Sequence, residues 1–220
     1  MKVCTDSCIF GAWVAINSSH KLSESSQVLD IGTGTGLLSL MVAQKCLSEI
    51  EAVDINEGCV LQASANFSQS TFSKRLRAFE TDIVEFNSDK KYDLIISNPP
   101  FFKNQLRSPR SQFNLAKHEE GLSLSVLMRV CFSLVKNDGC IALLLPYERY
   151  EEALNEFINH GLFVSRYLLI SQTEKHSFFR CAFIVSKVEC LPLREDMNIK
   201  EGGEYSEDFN MLLGDYYLNL

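Results

Sequence analysis

The stretch "VLDIGTGTG" (residues 28–36) decides the fold, because it joins a short apolar run to three alternate glycines. The apolar run is typical of a buried strand, and "LLSLMVAQKCL" (37–47) predicts a helix directly after the glycines. Gly32, Gly34 and Gly36 permit positive φ angles and let a ligand approach the backbone. In an open parallel sheet, ligands bind beyond the carboxyl ends of the strands, so the stretch predicts a ligand-binding loop there.

The alternation of strand and helix continues along the chain. Apolar runs predict seven strands, at residues 27–32, 50–55, 75–80, 92–97, 140–146, 163–171 and 178–186. Helical patterns separate most of them, at 37–47, 57–70, 121–135 and 148–160. The last two runs lie too close together for a crossover helix. We therefore expect an α/β, Rossmann-like fold with a seven-stranded, mostly parallel sheet and an antiparallel last strand.

The two ends of the chain carry weaker patterns. Residues 190–208 are polar and contain two adjacent glycines, so they are the stretch expected to be most flexible. Ser206, followed by acidic residues, predicts the start of a final helix. We expect a single domain over 1–220, with 1–27 as an N-terminal cap on the substrate and cofactor site and 190–220 as a C-terminal tail and helix.

The composition limits the compartment and the partners. The chain has 220 residues, a net charge of −7 and eight scattered cysteines, with no C-x-x-C pair and no zinc-finger spacing. Scattered thiols in apolar runs indicate a reducing compartment, so we expect a cytoplasmic protein with no metal. No long uncharged apolar run predicts a membrane span, and we expect a monomer. The negative charge argues against broad electrostatic binding of nucleic acid, although not against a local basic face.

Two acidic residues end neighbouring strands at the predicted ligand edge. Asp54 closes the second strand, where a carboxylate can bind both hydroxyls of a ribose. Asp82 follows the third strand and is placed to reach an adenine amino group. Each alone fits a turn or helix-cap aspartate, but with the glycine loop the two favour a nucleotide site.

The segment "SNPPFF" (97–102) ends the fourth strand with a stiff elbow. Residues before proline avoid the helical region, and Pro99 and Pro100 have φ fixed near −65°. The side-chain oxygen of Asn98 and the backbone oxygen of Pro99 can converge on one planar amine and favour a pyramidal nitrogen. Phe101 can stack on the ring that carries the amine. The elbow therefore predicts a site that holds a planar amine.

The loop after the elbow is locally basic. "FFKNQLRSPRSQFNLAKH" (101–118) contains Lys103, Arg107 and Arg110 but no acidic residue, which suggests that it holds nucleic-acid phosphates. Arg180, in the last predicted strand, is a candidate for a second anchor. A solvated loop and a structural ion pair are the plainer alternatives.

These motifs resemble those of the class I S-adenosylmethionine-dependent methyltransferases. By that resemblance S-adenosylmethionine is the cofactor and S-adenosylhomocysteine the product. The glycine loop, Asp54 and Asp82 bind the ribose and adenine, Asp30 lies near the methionine end, and Asn98 adjoins the cofactor. "NPPF" is similar to the [NDS]-PP-[YFW] motif of enzymes that methylate planar amines on adenine, guanine, cytosine or glutamine.

A narrower resemblance covers the whole chain. "MKVCTDSCIFGAW" (1–13), the glycine loop, "DLIISNPPF", Arg180 and "YSE" (205–207) resemble the bacterial tRNA1(Val) adenine-N6 methyltransferases. This implies tRNA as the partner and the adenine just 3′ of the anticodon as the target. It places Thr5 at the cofactor, and Lys2 and Asp6 at the substrate. Ser7 departs from the usual glycine of that family, whose members usually carry further residues before this segment.

Other functions remain open at this stage. A ribosomal RNA guanine-N2 methyltransferase is the nearest, because it uses the same elbow. A protein glutamine-N5 methyltransferase would need an N-terminal helical domain, for which the 27 residues before Val28 leave no room. An inactive cofactor-binding module is the third alternative. A nicotinamide oxidoreductase is disfavoured because Leu37 stands where the fingerprint G-x-G-x-x-G has its third glycine.

Overall fold

The computed structural model describes residues 4–18, 21–86, 88–99 and 122–217. Within these ranges the strands are β1 (Gln27–Ile31), β2 (Glu49–Asp54), β3 (Leu76–Glu80), β4 (Tyr92–Ser97), β5 (Val135–Pro146), β6 (Phe163–Thr173), β7 (Arg180–Ser186), β8 (Leu193–Glu201) and β9 (Glu204–Tyr205). The helices are α1 (Thr5–Ser18), α2 (Leu37–Lys45), α3 (Glu57–Gln69), α4 (Leu124–Leu134), α5 (Tyr150–Asn159) and α6 (Glu207–Leu213).

All nine strands join one sheet in the order β3-β2-β1-β4-β5-β7-β6-β8-β9. The neighbours from β3 to β5 are parallel, whereas β7 runs antiparallel to both β5 and β6. The α/β fold, the mostly parallel sheet and the antiparallel closing pair are thus confirmed. The central strands are buried on both faces, as is usual for a parallel sheet covered by helices.

Side chains alternate between two hydrophobic clusters, one on each face of the sheet. Val28 and Ile96 face the cluster formed with α1, α2 and α6, while Leu29 and Ile95 face the cluster formed with α4 and α5. This period of two is the pattern that pleated strands impose. The alternation fixes the register, because a slip by one residue would turn every side chain to the opposite face.

The predicted count of seven strands is wrong, because the sheet continues beyond the predicted last strand. β8 pairs in parallel with β6, and β9 pairs antiparallel with β8. Both lie in residues 190–208, which were expected to be flexible. Met197 and Ile199 are the buried residues of β8, and the charged side chains around them hide this short alternation. The predicted cap of the final helix is confirmed, since the Ser206 hydroxyl accepts a hydrogen bond from the Phe209 amide.

The N-terminal segment contains a buried helix that the sequence analysis did not predict. α1 packs on α2 and α6, and residues 8–15 are all buried. In the part of the chain that the structure describes, no helix is both long and apolar enough to cross a membrane. α1 matters for the site, because its first turn reaches the end of β4.

Candidate active site

The loops that follow β1, β2, β3 and β4 meet at the carboxyl edge of the sheet. The register pairs Ile31 of β1 with Val53 of β2 on one side and with Ser97 of β4 on the other. The residues that follow these strands therefore lie side by side. Hydrogen bonds hold the edge together, since the Ser97 hydroxyl donates to the Ile31 carbonyl (2.8 Å) and the Gly32 amide donates to the Val53 carbonyl (2.8 Å).

The three glycines after β1 all have positive φ, at 70°, 56° and 79°, but they serve different purposes. A Cβ on Gly32 would meet no atom within 4 Å, so this position borders open space that a ligand can fill. A Cβ on Gly36 would lie 2.5 Å from Cε1 of Phe67, so α3 packs directly on that backbone. Gly36 thus allows close packing of loop and helix, while Gly32 leaves room for a ligand.

Asp30 lies fully buried at the end of β1. Its Oδ2 accepts hydrogen bonds from the Thr33 and Ser39 hydroxyls, both at 2.7 Å. Its Oδ1 is buried and has no hydrogen-bond partner among the described residues. Burial raises the pKa of Asp30 to about 6, although the two hydroxyls oppose this rise. A buried, half-satisfied carboxylate beside open space is a suitable acceptor for a polar ligand.

Asp54 connects the glycine loop to the end of β2. Its Oδ2 accepts from the Gly34 amide (3.0 Å) and its Oδ1 accepts from the Asn56 amide (2.9 Å). Each carboxylate oxygen can accept a second hydrogen bond, so both oxygens remain able to bind ligand hydroxyls. Asp82 follows β3 on the same edge, where its Oδ1 accepts from the Val84 amide (2.9 Å). The structure brings together Asp30, Asp54 and the glycine loop as the sequence predicts.

The elbow begins directly after β4. Asn98 is half-buried and Pro99 is buried. The Asn98 Nδ2 donates to the Ser7 hydroxyl (2.9 Å), whereas its Oδ1 is buried and has no hydrogen-bond partner among the described residues. An acceptor in this state is costly unless a ligand pairs with it. Asn98 thus presents an unpaired oxygen at the edge where the four loops meet.

The predicted second anchor, Arg180, makes an ion pair with Asp6. Its Nε donates to Asp6 Oδ2 at 2.8 Å, and the two side chains are only 25% and 14% exposed. The plainer alternative, a structural ion pair, is therefore present in the structure. Thr5 is exposed at the start of α1.

Several predicted site residues lie outside the described residues. These are Pro100 and Phe101 of the elbow and the basic residues Lys2, Lys103, Arg107 and Arg110. Among the residues that are described, no group of three or more histidine, cysteine or acidic side chains could hold a metal ion.

Three hydroxyl residues at the site were not singled out from the sequence as contacts. Thr33 and Ser39 hold Asp30, and Ser7 holds Asn98. Ser39 lies nine residues beyond Asp30, and Ser7 lies 91 residues before Asn98. No sequence pattern marks contacts at such separations, so only the packing of the elements reveals them.

Comparison with known proteins yields one consistent group. Residues 11–118 match the family model described as "Methyltransferase small domain". A protein of Parabacteroides distasonis, named tRNA1(Val) (adenine(37)-N6)-methyltransferase, is 35% identical over 224 residues, covering 100% of this chain and 92% of that protein. A protein of Vibrio campbellii with the same name is 34% identical and covers 100% and 90%.

Solved structures agree on the fold. A predicted O-methyltransferase from Agrobacterium tumefaciens has a TM-score of 0.69 at 15% identity, covering 94% of this chain and 95% of its own. The geranyl diphosphate C-methyltransferase of Streptomyces coelicolor, solved with S-adenosyl-L-homocysteine, has a TM-score of 0.60 at 12% identity, covering 80% and 79%. At these identities the likeness concerns the fold alone.

Proposed function

Since this chain belongs to the family of the tRNA1(Val) (adenine(37)-N6)-methyltransferases, we propose that it methylates the exocyclic N6 amine of an adenine in tRNA. The methyl donor is S-adenosylmethionine, and the target is adenine 37 of tRNA1(Val). Residues 1–220 act as one methyltransferase domain in this proposal. The observation that carries it is the Oδ1 of Asn98 at the ligand edge of the sheet, which is buried and has no hydrogen-bond partner among the described residues.

The residues of the edge fit the cofactor. Gly32 borders open space at the end of β1. Asp54 keeps acceptor capacity for ribose hydroxyls on two oxygens that backbone amides already orient. The Oδ1 of Asp30, which has no partner among the described residues, suits the cationic methionine end. Asp82, which follows β3, would bind the adenine. Thr5, at the start of α1, would contact the cofactor where α1 approaches β4.

The elbow supplies what a planar amine needs in order to react. When bound, S-adenosylmethionine offers an electrophilic methyl group on a sulfonium centre. The lone pair of an adenine N6 amine is delocalised into the ring, so the flat amine is a poor nucleophile. Asn98 Oδ1 and the Pro99 carbonyl accept the two N–H hydrogens and favour a pyramidal nitrogen. The rigid proline backbone keeps these two acceptors in position before the substrate arrives.

The RNA is held by groups around the elbow. Phe101 stacks on the target base, and the phosphates are bound by the basic side chains Lys2, Lys103, Arg107 and Arg110. Asp6 and Arg180 contribute to the substrate side through their mutual ion pair. With a net charge of −7, the chain depends on this local basic surface rather than on overall attraction. A tRNA substrate and eight cysteines that form no disulfide among the described residues fit a cytoplasmic protein, which in this proposal acts as a monomer.

The direct test is methylation of defined RNA. Purified protein, methyl-labelled S-adenosylmethionine and a tRNA1(Val) transcript are incubated, and the digested nucleosides are analysed by mass spectrometry. We expect N6-methyladenine in this transcript and none in a matched transcript that carries guanine at position 37. Asn98→Ala should lower kcat by roughly 10²- to 10³-fold, which is the usual cost of losing one group that stabilises a transition state.

The control variant is Ser133→Ala, which removes a hydroxyl that bonds only within α4. It should methylate at the wild-type rate. If the protein binds the cofactor but methylates neither tRNA1(Val) nor any other tRNA, the proposal is wrong. N2-methylguanine in ribosomal RNA would instead identify the guanine-N2 activity.

A further inference from the structure

The hydroxyl of Ser7 contacts one end of the Asn98 amide. Asn98 Nδ2 donates to Ser7 Oγ at 2.9 Å, and the other end of the amide, Oδ1, is the buried atom without a partner among the described residues. The contact joins the first turn of α1 to the residue that follows β4. The side chain that presents the acceptor is thus held from its opposite end.

Ser7 is itself held in place by its neighbours. The Ser7 amide donates to Asp6 Oδ1 at 3.0 Å, and Asp6 Oδ2 accepts from Arg180 Nε at 2.8 Å. Arg180 begins β7 and lies opposite Pro146 at the end of β5. β5 is the neighbour of β4, so the ion pair fixes the first turn of α1 to the same edge of the sheet that carries Asn98.

We propose that Ser7 is a positioning residue, whose hydroxyl holds the amide plane of Asn98 so that Oδ1 rather than Nδ2 faces the target amine. This inference rests on the proposed function. The terminal torsion of asparagine is broad and roughly two-fold, so an unheld amide can present either end. An amide that presents Nδ2 places donors against the N–H donors of the amine and cannot hold them.

The contact depends on the Ser7 hydroxyl, because it is the atom that accepts the hydrogen bond from Asn98 Nδ2. The backbone of Asn98 is already restricted, because the residue after it is a proline. Ser7 restricts the side chain in addition to the backbone.

The first experiment compares Ser7→Ala with Ser7→Thr in steady-state methylation of tRNA1(Val). Ser7→Ala should lower kcat roughly three- to tenfold, the range expected for one hydrogen bond, and leave KM for RNA and the cofactor dissociation constant unchanged. Ser7→Thr keeps the hydroxyl and should restore most of kcat. Ser133→Ala, a hydroxyl loss within α4, should match the wild type.

The second experiment repeats Ser7→Ala in an Asn98→Asp background. Both terminal atoms of aspartate are oxygens, so either orientation presents an acceptor and the need for Ser7 disappears. The fold loss caused by Ser7→Ala should therefore shrink to less than about twofold, a coupling that a double-mutant cycle measures. An equal loss in both backgrounds would mean that Ser7 only supports α1, and the inference would be wrong.

The outcomes separate this inference from the function on which it rests. If the wild type methylates no RNA, the proposed function fails first. If the wild type is active and Ser7→Ala keeps its kcat, or if Ser7→Thr is as slow as Ser7→Ala, only the positioning role fails. If Asn98→Asp is too slow to measure, two results still test the positioning role of Ser7. These are the loss of kcat without a change in KM in Ser7→Ala, and the recovery of kcat in Ser7→Thr.

Discussion

Replacing Asp30 with asparagine should make the fold more stable near neutral pH and the enzyme less able to bind its cofactor. The carboxyl group is fully buried, and one of its oxygens has no hydrogen-bond partner among the described residues. The Thr33 and Ser39 hydroxyls donate to the other oxygen, and an asparagine carbonyl can accept both bonds in its place. Asp30→Asn therefore removes a buried negative charge and keeps the two hydroxyl hydrogen bonds, while its Nδ2 is buried without an acceptor among the described residues.

The size of the effect follows from the pKa. Burial raises the pKa of Asp30 from 3.8 to about 6, so the folded state holds this proton more tightly than the unfolded state does. The contribution of Asp30 to wild-type stability must then fall as the pH rises from about 4 to about 6. Relative to a neutral side chain, the ionisable carboxyl of Asp30 lowers the free energy of unfolding by about 1 kcal/mol near pH 4.5 and by about 3 kcal/mol near pH 7.5. Asp30→Asn should recover these amounts less a pH-independent cost of about 1 to 3 kcal/mol for its unpaired Nδ2, so its stability relative to the wild type should be about 2 kcal/mol higher near pH 7.5 than near pH 4.5.

Urea unfolding of the cofactor-free protein at the two pH values measures the change. The difference between variant and wild type isolates Asp30, because the other carboxylates titrate equally in both proteins. Asp93→Asn is the matched control, since the Asp93 side chain is 22% exposed and its carboxylate accepts from Lys136 Nζ (2.9 Å). Removing that charge should give no gain in stability at either pH.

Two results would refute this reasoning. A gain from Asp30→Asn that is the same at both pH values would mean that Asp30 is not the titrating group. A loss of stability near pH 7.5 would mean that the ionised carboxylate stabilises the fold. In the same samples, S-adenosylmethionine should raise the stability of the wild type by mass action but have a smaller effect on Asp30→Asn.

Three further predictions concern packing and anchoring. Gly36→Ala should lower the free energy of unfolding by more than Gly32→Ala does, because both substitutions strain a positive φ but only the Cβ at position 36 overlaps with Phe67. Urea midpoints compare the two variants, and equal losses would contradict the packing role of Gly36. Arg180→Ala should lower kcat without raising KM for RNA, whereas a higher KM alone would identify a direct RNA contact. Ser206→Ala should cost about 1 kcal/mol in urea unfolding by removing the cap of α6, and an unchanged midpoint would contradict that role.

The sequence allows the central fold and half of the site to be predicted, because both depend on local patterns. Apolar runs and helical periods identify β1 to β7 and four of the helices, since each pattern lies within one element. Asp54 and Asn98 could be assigned because they end strands, and the ends of parallel strands meet at one edge. For such residues, the position at the end of a predicted strand is sufficient to place them at the ligand edge.

The parts that could not be predicted depend on contacts between distant segments. Residues 8–15 of α1 are apolar and buried, and α1 packs against α2 and α6, so this stretch lacks the amphipathic period that identifies a surface helix. β8 has only Met197 and Ile199 buried, and its partner β6 ends 20 residues earlier. In both cases the neighbouring element, rather than the local sequence, decides the structure.

The same limit explains why the position of Asn98 at the end of β4 was predictable but the orientation of its side chain was not. The proline after Asn98 restricts its backbone, and this restriction is visible in the sequence. The direction of the amide depends on Ser7, whose own position depends on the ion pair between Asp6 and Arg180. This chain of contacts runs from β7 through α1 to β4, so a substitution of Arg180 or Ser7 should change the geometry of Asn98 without removing a group that contacts the substrate.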